Sequence, residues 1–275
     1  MENCLFGCEK DSFQSGTSGL SITINSINRL TISLINNNFN LVNIYLRVNS
    51  HYMKHHSTVL LTLFLLISSL VFSQEKKIQV TFLGNSGFHL TDGEMNVYLD
   101  FPYKSGAHKY MEYDAKEVEK IPENSIFLFT HNHSDHYSEK LIKNIKGKFF
   151  GPFKFPKSKG ISLEELNTLD KDFKVEVFDT SHNFSFGNHY SMLIIWHGKK
   201  IFVSGDTGEF EPWSKTEGID LALSNFWIYR NAHEAGSKVN AGIIGICHLY
   251  PDAKIESEFP ENVKFFLTQN EVMEF

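Results

Sequence analysis

Three histidines and an aspartate stand close together at His131, His133, Asp135 and His136. Imidazole and carboxylate are the donors that Zn2+ and related divalent ions take from a protein. The run follows residues 125–130, an unbroken apolar stretch ending in threonine whose composition predicts a buried strand. In extended backbone alternate side chains share a side, so His131 and His133 can grip one ion together. Asp135 and His136 come where the chain turns toward a helix predicted from Ser138, and they can face a second ion. A solvated polar loop is the plainer alternative, but it gives no reason for so many donors directly behind a buried strand.

Other segments must position this cluster. Residues 78–83 alternate as a strand that Gly84 and Gly87 interrupt, and residues 97–102 read as a second strand, the two resembling a hairpin around residues 91–94. Helices are predicted from Ser138 and from Ser162, each serine standing at an N-cap position. Residues 174–179 alternate as a strand, and 190–195 with 200–203 form a hairpin that turns at His197-Gly198. Residues 219–223 and the small apolar run 241–247 are further strands, and 272–275 closes the chain as a short one. The reading is a single α/β domain over 74–275, with its elements beginning near residue 78.

The first part of the chain reads differently. Residues 1–52 are rich in Asn, Ser, Ile and Leu, and 35–40 is low-complexity sequence, so this extension is expected to lie outside the fold. At 53–73 a short basic segment, Met53-Lys54-His55-His56, precedes an apolar run and then Ser73-Gln74, the pattern of a secretory signal peptide. Met53 is accordingly the expected start of translation, and the mature protein is expected to be secreted or periplasmic with no stable membrane anchor after cleavage. The apolar run falls short of the roughly 20 residues that span a bilayer. Of the cysteines Cys4, Cys8 and Cys247, only the last lies in the expected mature chain, which excludes a disulfide framework there. The formal charge of −6 argues against a nucleic-acid partner held by a generally basic surface, though not against a local basic patch; the expected partner is a small-molecule substrate.

The order His131-Asn132-His133-Ser134-Asp135-His136 resembles the His-x-His-x-Asp-His signature of the metallo-β-lactamase superfamily. The resemblance extends over about residues 78–275. Residues 82–88 with Tyr98-Leu99-Asp100 are similar to its opening hairpin and first motif aspartate, and Ser204-Gly205-Asp206-Thr207-Gly208 is similar to its Gly-Asp-Thr segment. The resemblance implies a four-layer αββα sandwich with two divalent metal ions, Zn2+ first, with Mn2+ or iron as alternatives. It assigns His131, His133 and His182 to one ion and Asp135, His136 and His248 to the other. Asp206 would bridge them, and Asp100 would orient ligands through hydrogen bonds. His189 competes with His182 for the third place on the first ion.

The same resemblance implies a hydrolase in which a hydroxide between the ions attacks an ester, lactone or phosphodiester, with Asp135 as the residue able to take the proton. Antibiotic-degrading members usually lack a bridging aspartate, so Asp206 weighs against a true β-lactamase. The pattern is closer to lactonases and phosphodiesterase-type hydrolases, including proteins like L-ascorbate-6-phosphate lactonase, although Tyr137-Ser138 replaces a glycine that often follows the signature. An iron-dependent oxidoreductase or dioxygenase on the same scaffold is the alternative, since His and Asp donors also serve iron. Cys247, set in an apolar run, reads as a packing residue. His197 is expected in an exposed turn, His233 in a surface loop or at the pocket, and His89 and His108 without partners. Tyr110, Tyr113, Trp213, Phe226, Trp227 and Tyr229 are either a pocket wall or core.

Overall fold

The computed structural model describes residues 19–25, 29–35, 41–47, 76–182, 188–255 and 257–275. The expected signal segment at 53–73 lies outside the described residues. The chain divides into two units, Met1–Gln74 and Glu75–Phe275. Within the first, strands β1 (Gly19–Asn25), β2 (Arg29–Ile35) and β3 (Leu41–Arg47) form an antiparallel sheet in the order β1-β2-β3. Gly19 pairs with Ile35, and Arg29 with Arg47. No helix among the described residues is long and apolar enough to cross a membrane.

The second unit is two six-stranded sheets. One has β4 (Gln79–Gly84), β5 (Gly87–Thr91), β6 (Asn96–Leu99), β7 (Ser125–Leu128), β8 (Gly147–Phe150) and the last strand, β15 (Val272–Glu274), in the order β15-β4-β5-β6-β7-β8. The other has β9 (Phe173–Thr180), β10 (His189–Trp196), β11 (Lys199–Val203), β12 (Leu221–Asn225), β13 (Ile243–Cys247) and β14 (Val263–Phe265), in the order β14-β13-β12-β11-β10-β9. Each sheet begins antiparallel and becomes parallel, at β6-β7-β8 in the first and β11-β12-β13-β14 in the second. The sequence pattern missed β5. The turn at 92–95 joins it to β6, and Asn85, with φ of 53°, helps turn β4 into it.

Three apolar clusters define the layers. Val80, Phe88, Leu99 and Leu128 of the first sheet share a core with Val175, Ile194, Val203 and Leu223 of the second, so the sheets pack face to face. Behind the first sheet, Tyr98, Phe127, Phe129 and Phe149 pack with Ile142 of helix α2 (Glu139–Ile142), which follows α1 (Lys116–Glu119) in the chain. Behind the second, Leu193, Phe202 and Ile246 pack on Trp213 of α4 (Glu211–Lys215) and on Ile228 and Tyr229 of α5 (Phe226–Glu234). This is the αββα sandwich expected from the sequence. The short helix α3 (Leu163–Leu166) opens with the full reciprocal cap between Ser162 and Glu165. Ser138 stands at the N-cap of α2 but makes no side-chain cap bond.

Several expectations are corrected. His197 is not an exposed turn residue: with φ of 50° it starts the tight β10–β11 turn, and its Nε2 lies 2.7 Å from Asp92 Oδ2. His233 sits not in a loop but on α5, with an exposed side chain. His89 has partners, stacking on Tyr98 and pairing with Asn96 at 2.8 Å. Trp213 and Tyr113 are core residues.

Candidate metal centre

Every candidate residue follows the carboxyl end of a strand. Asp100 follows β6, His131 follows β7, His182 follows β9, Asp206 follows β11 and His248 follows β13. That is where open α/β sheets place their ligand sites, because the strands stop there and the connecting loops are free to vary. The sandwich brings all seven expected donors to one place. They fall into two groups whose ligand atoms lie within 4.8 Å of one another: His131, His133 and His182 in one, and Asp135, His136, Asp206 and His248 in the other.

The distances within the second group suit a cation. Asp206 Oδ2 is 3.1 Å from His136 Nε2 and 3.1 Å from His248 Nε2, the two imidazole nitrogens are 3.1 Å apart, and Asp135 Oδ2 is 3.2 Å from His248 Nε2. Donors about 2.0 Å from a tetrahedral zinc are about 3.3 Å from each other. In the first group His182 Nε2 is 3.3 Å from His133 Nδ1. Asp206 Oδ2 is 3.9 Å from His131 Nε2 and 4.0 Å from His182 Nε2, so it lies between the groups, where the resemblance puts a bridging carboxylate. His131 Nε2 and Asp206 Oδ1 are buried with no hydrogen-bond partner, a costly arrangement that a bound cation would relieve. On this observation the residues fit a pair of metal ions.

Supporting hydrogen bonds decide which nitrogens face inward. The Thr130 backbone N–H donates to Asp100 Oδ1 at 2.7 Å, and the Thr130 hydroxyl donates to Asp100 Oδ2 at 2.7 Å. With its proton so used, that hydroxyl accepts from His131 Nδ1 at 3.0 Å, which leaves the His131 Nε2 lone pair facing the site. His136 Nδ1 likewise donates to Asp100 Oδ2 at 2.9 Å. Asp100 thus orients two imidazoles at once. Replacing it with Asn should weaken cation affinity by roughly ten- to hundredfold, the usual cost of losing such a partner. Competition against a chelating dye measures this; an unchanged affinity would make Asp100 a strand-end residue and nothing more.

His189 is not part of either group. It is buried, its Nε2 accepts the Asp206 backbone N–H at 2.9 Å, and its Nδ1 lies 2.7 Å from the Thr180 hydroxyl. Burial lowers its pKa to about 3, so it stays neutral and able to accept. It holds Asp206 from behind, while His182 enters the first group. Asn85 ties the halves of the second group together, its side chain donating to the Asp135 carbonyl at 2.8 Å and its carbonyl accepting the His248 N–H at 2.9 Å.

Burial disfavours charge throughout the site, and opposite charges overcome it where they meet. Against the effect of burial, His136 and His248 hold the Asp206 carboxyl well below the usual range, and Asp206 with Asp100 holds His136 well above its own. His131 is pushed well down by burial and by His136. Without a cation, protons on His136 and His248 balance the carboxylates; a cation takes their place, so uptake releases protons. The Cys247 thiol is buried and pushed up by that burial, which bars it from acting as a nucleophile.

No family model matches the sequence, and no curated protein matches it. Solved structures do. The metallo-beta-lactamase fold protein YhfI from Bacillus subtilis is similar at 19% identity and a TM-score of 0.51, over 73% of this chain and 100% of that one. Igni18, a metallo hydrolase from the hyperthermophilic archaeon Ignicoccus hospitalis, is similar at 17% identity and a TM-score of 0.54, over 72% of this chain and 98% of its own. The chain has the metallo-β-lactamase fold.

Around the two groups, this metallo-β-lactamase fold carries further residues, of which the sequence reads Tyr110 and Trp227 as pocket wall or core and His108 as without a role. His108, expected to be without partners, has its Nε2 3.2 Å from Ser134 Oγ and 3.8 Å from Asp135 Oδ1. Tyr110 meets His248 edge-on with ring centroids 4.1 Å apart, and Trp227 does so at 5.2 Å. Near His182 the surroundings are polar, with Asp179, Thr180, Ser181, Asn188 and Glu209 lining an open cavity. Spacing could not assign His108, Tyr110 and Trp227 to the site, because they reach it from segments far apart in the chain.

Proposed function

We propose that this chain is a metal-dependent hydrolase of a small-molecule ester, lactone or phosphodiester. One observation carries the reading: seven His and Asp donors converge in two groups, with the Asp206 carboxylate between them, at strand ends where His133 and His182 remain partly open to solvent. Bound divalent ions, Zn2+ by preference, supply Lewis acidity that activates water and polarises the substrate oxygen. His131, His133 and His182 would hold one ion, and Asp135, His136 and His248 the other. Asp100 and Thr130 keep the His131 and His136 imidazoles in the tautomers that present lone pairs inward. Asp135 is the proton acceptor: His248 and His136 hold its carboxyl below the usual range despite burial, so it is ionised at neutral pH. No serine or cysteine nucleophile is required. The position of Asp206 supports a lactonase- or phosphodiesterase-like branch over a true β-lactamase. The basic and then apolar segment at 53–73 supports export.

The test is metal analysis of the purified protein with a turnover screen over esters, lactones, phosphodiesters and a β-lactam. We expect two zinc equivalents per chain, turnover on one of the first three classes, and loss of both turnover and one equivalent in His133→Ala. A protein that binds no divalent ion, or a His133→Ala variant of undiminished rate, would overturn the reading. Two iron equivalents with oxygen consumption would replace it with the oxidative one.

A further inference from the structure

The segment between Asp100 and the histidine cluster is held in a conformation that its residues do not favour. Gly106, His108 and Lys109 have φ of 70°, 53° and 68°, so two non-glycine residues in succession are left-handed. Such strain persists only where the surroundings over-determine it, and here they do. The Tyr103 hydroxyl donates to the Met111 carbonyl at 2.7 Å, the Tyr113 hydroxyl to the Tyr103 carbonyl at 2.7 Å, and the Lys104 N–H to the Ser134 carbonyl at 2.7 Å. Gln269 ties the Glu112 carbonyl to that of Leu83.

What the strained turn presents is His108 and Tyr110. His108 is largely solvent-exposed, yet its Nε2 lies 3.8 Å from Asp135 Oδ1, at the edge of the second donor group. Tyr110 packs its ring edge-on to His248 and is covered by Tyr250, stacked with centroids 4.7 Å apart and planes within 8°. Tyr250 itself is 51% exposed. A large aromatic ring left half in water, stacked on a second ring that touches a donor of the site, is a flat apolar surface one ring removed from that donor. Among the described residues the lining near His182 is polar, so an apolar part of a substrate has the Tyr250 side to turn to.

Building on the hydrolase reading, we propose that residues 104–113 with Tyr250 form a substrate-recognition arm, and that the substrate carries a planar aromatic group next to its scissile bond. The aromatic group lies against Tyr250, and the His108 imidazole donates a hydrogen bond to an oxygen of the group being hydrolysed. Both residues are specificity determinants that touch substrate and hold no ion.

Phenylphosphonate and methylphosphonate separate these roles. Both offer the oxyanion, neither is hydrolysed, and only one has the ring. With metal-loaded protein in a calorimeter, phenylphosphonate should bind at least about tenfold tighter than methylphosphonate, a stacked ring being worth roughly this much. Tyr250→Ala should erase that difference with methylphosphonate affinity and metal content unchanged. His108→Gly, which tolerates the left-handed backbone, should weaken both probes alike by about tenfold, the scale of a hydrogen bond to a charged group. If the protein takes up metal but binds the two probes equally, or binds neither, the arm is wrong and the hydrolase reading stands. If it takes up no metal, the reading beneath fails first. A Tyr250→Ala variant that keeps the preference, or a His108→Gly variant that binds both probes as before, also overturns the assignment of that residue.

Discussion

Asp206→Asn is expected to bring bound cation down to one equivalent or less and to lower turnover by more than about a thousandfold, well beyond the cost of losing an outer hydrogen-bond partner. The substitution keeps the size of the side chain and removes its charge. Asp206 Oδ2 is the atom 3.1 Å from His136 and His248 and within 4.0 Å of His131 and His182, so both groups lose their shared donor together. Five imidazoles would then face one another with Asp135 as the remaining carboxylate. An amide oxygen is a poorer ligand than a carboxylate and cannot offset two divalent charges. Metal content after dialysis and single-substrate kinetics decide the matter. Retention of two equivalents would show that the two groups are independent and that Asp206 belongs to the second alone.

Gly205→Ala should destabilise the metal-free protein by about 3 kcal/mol, combining overpacking with a left-handed backbone. For a domain of this size that lowers Tm by about 6–12 °C. Gly205 has φ of 60°, and a Cβ placed there would collide with His189 Nε2 and meet Thr130 Cβ at 2.8 Å. Neither neighbour can yield cheaply, because His189 is fixed by the Asp206 N–H and Thr180, and Thr130 by Asp100. The damage therefore also reaches the site, and cation affinity should fall with stability. Gly208 is the control: nothing lies within 4 Å of a Cβ there, so Gly208→Ala should stay within about 0.5 kcal/mol. Thermal unfolding of both variants in chelator, which removes the stabilisation that bound ions add, makes the comparison. Equal melting temperatures would mean that the neighbours of Gly205 move aside freely.

How much could be read from the chain before its fold was seen differs by element. Strands β7, β11 and β13 show as apolar runs because both faces of their sheets are covered there, β9 shows as an alternating run because it is an edge strand with Lys174 and Asp179 exposed, and their ends mark the donors that follow. Strand β5 did not show: it is short, begins at a glycine and carries His89 and Thr91 among its apolar residues. The cluster at 131–136 is legible because its donors are local. Strand-end placement favours His182 over His189 without deciding between them, since β9 ends and β10 begins beside the same site; the hydrogen bond that commits His189 to the Asp206 backbone exists only in three dimensions. His108 was invisible for a related reason: the left-handed turn that aims it at Asp135 has no glycine at that position to announce it. The aromatic residues divided between core and site, Trp213 to the one and Tyr110 and Trp227 to the other, and composition treats them alike.

The donors are shared between the two sheets, four coming after β7 and the others after β9, β11 and β13. A nascent chain that stops short of β13 lacks His248 and cannot complete the second group, however well its first sheet has formed. Capture of the second ion is thereby reserved for molecules whose synthesis has gone past that point and whose two halves have met. Truncated or half-assembled copies would forgo the stabilisation that this second ion adds.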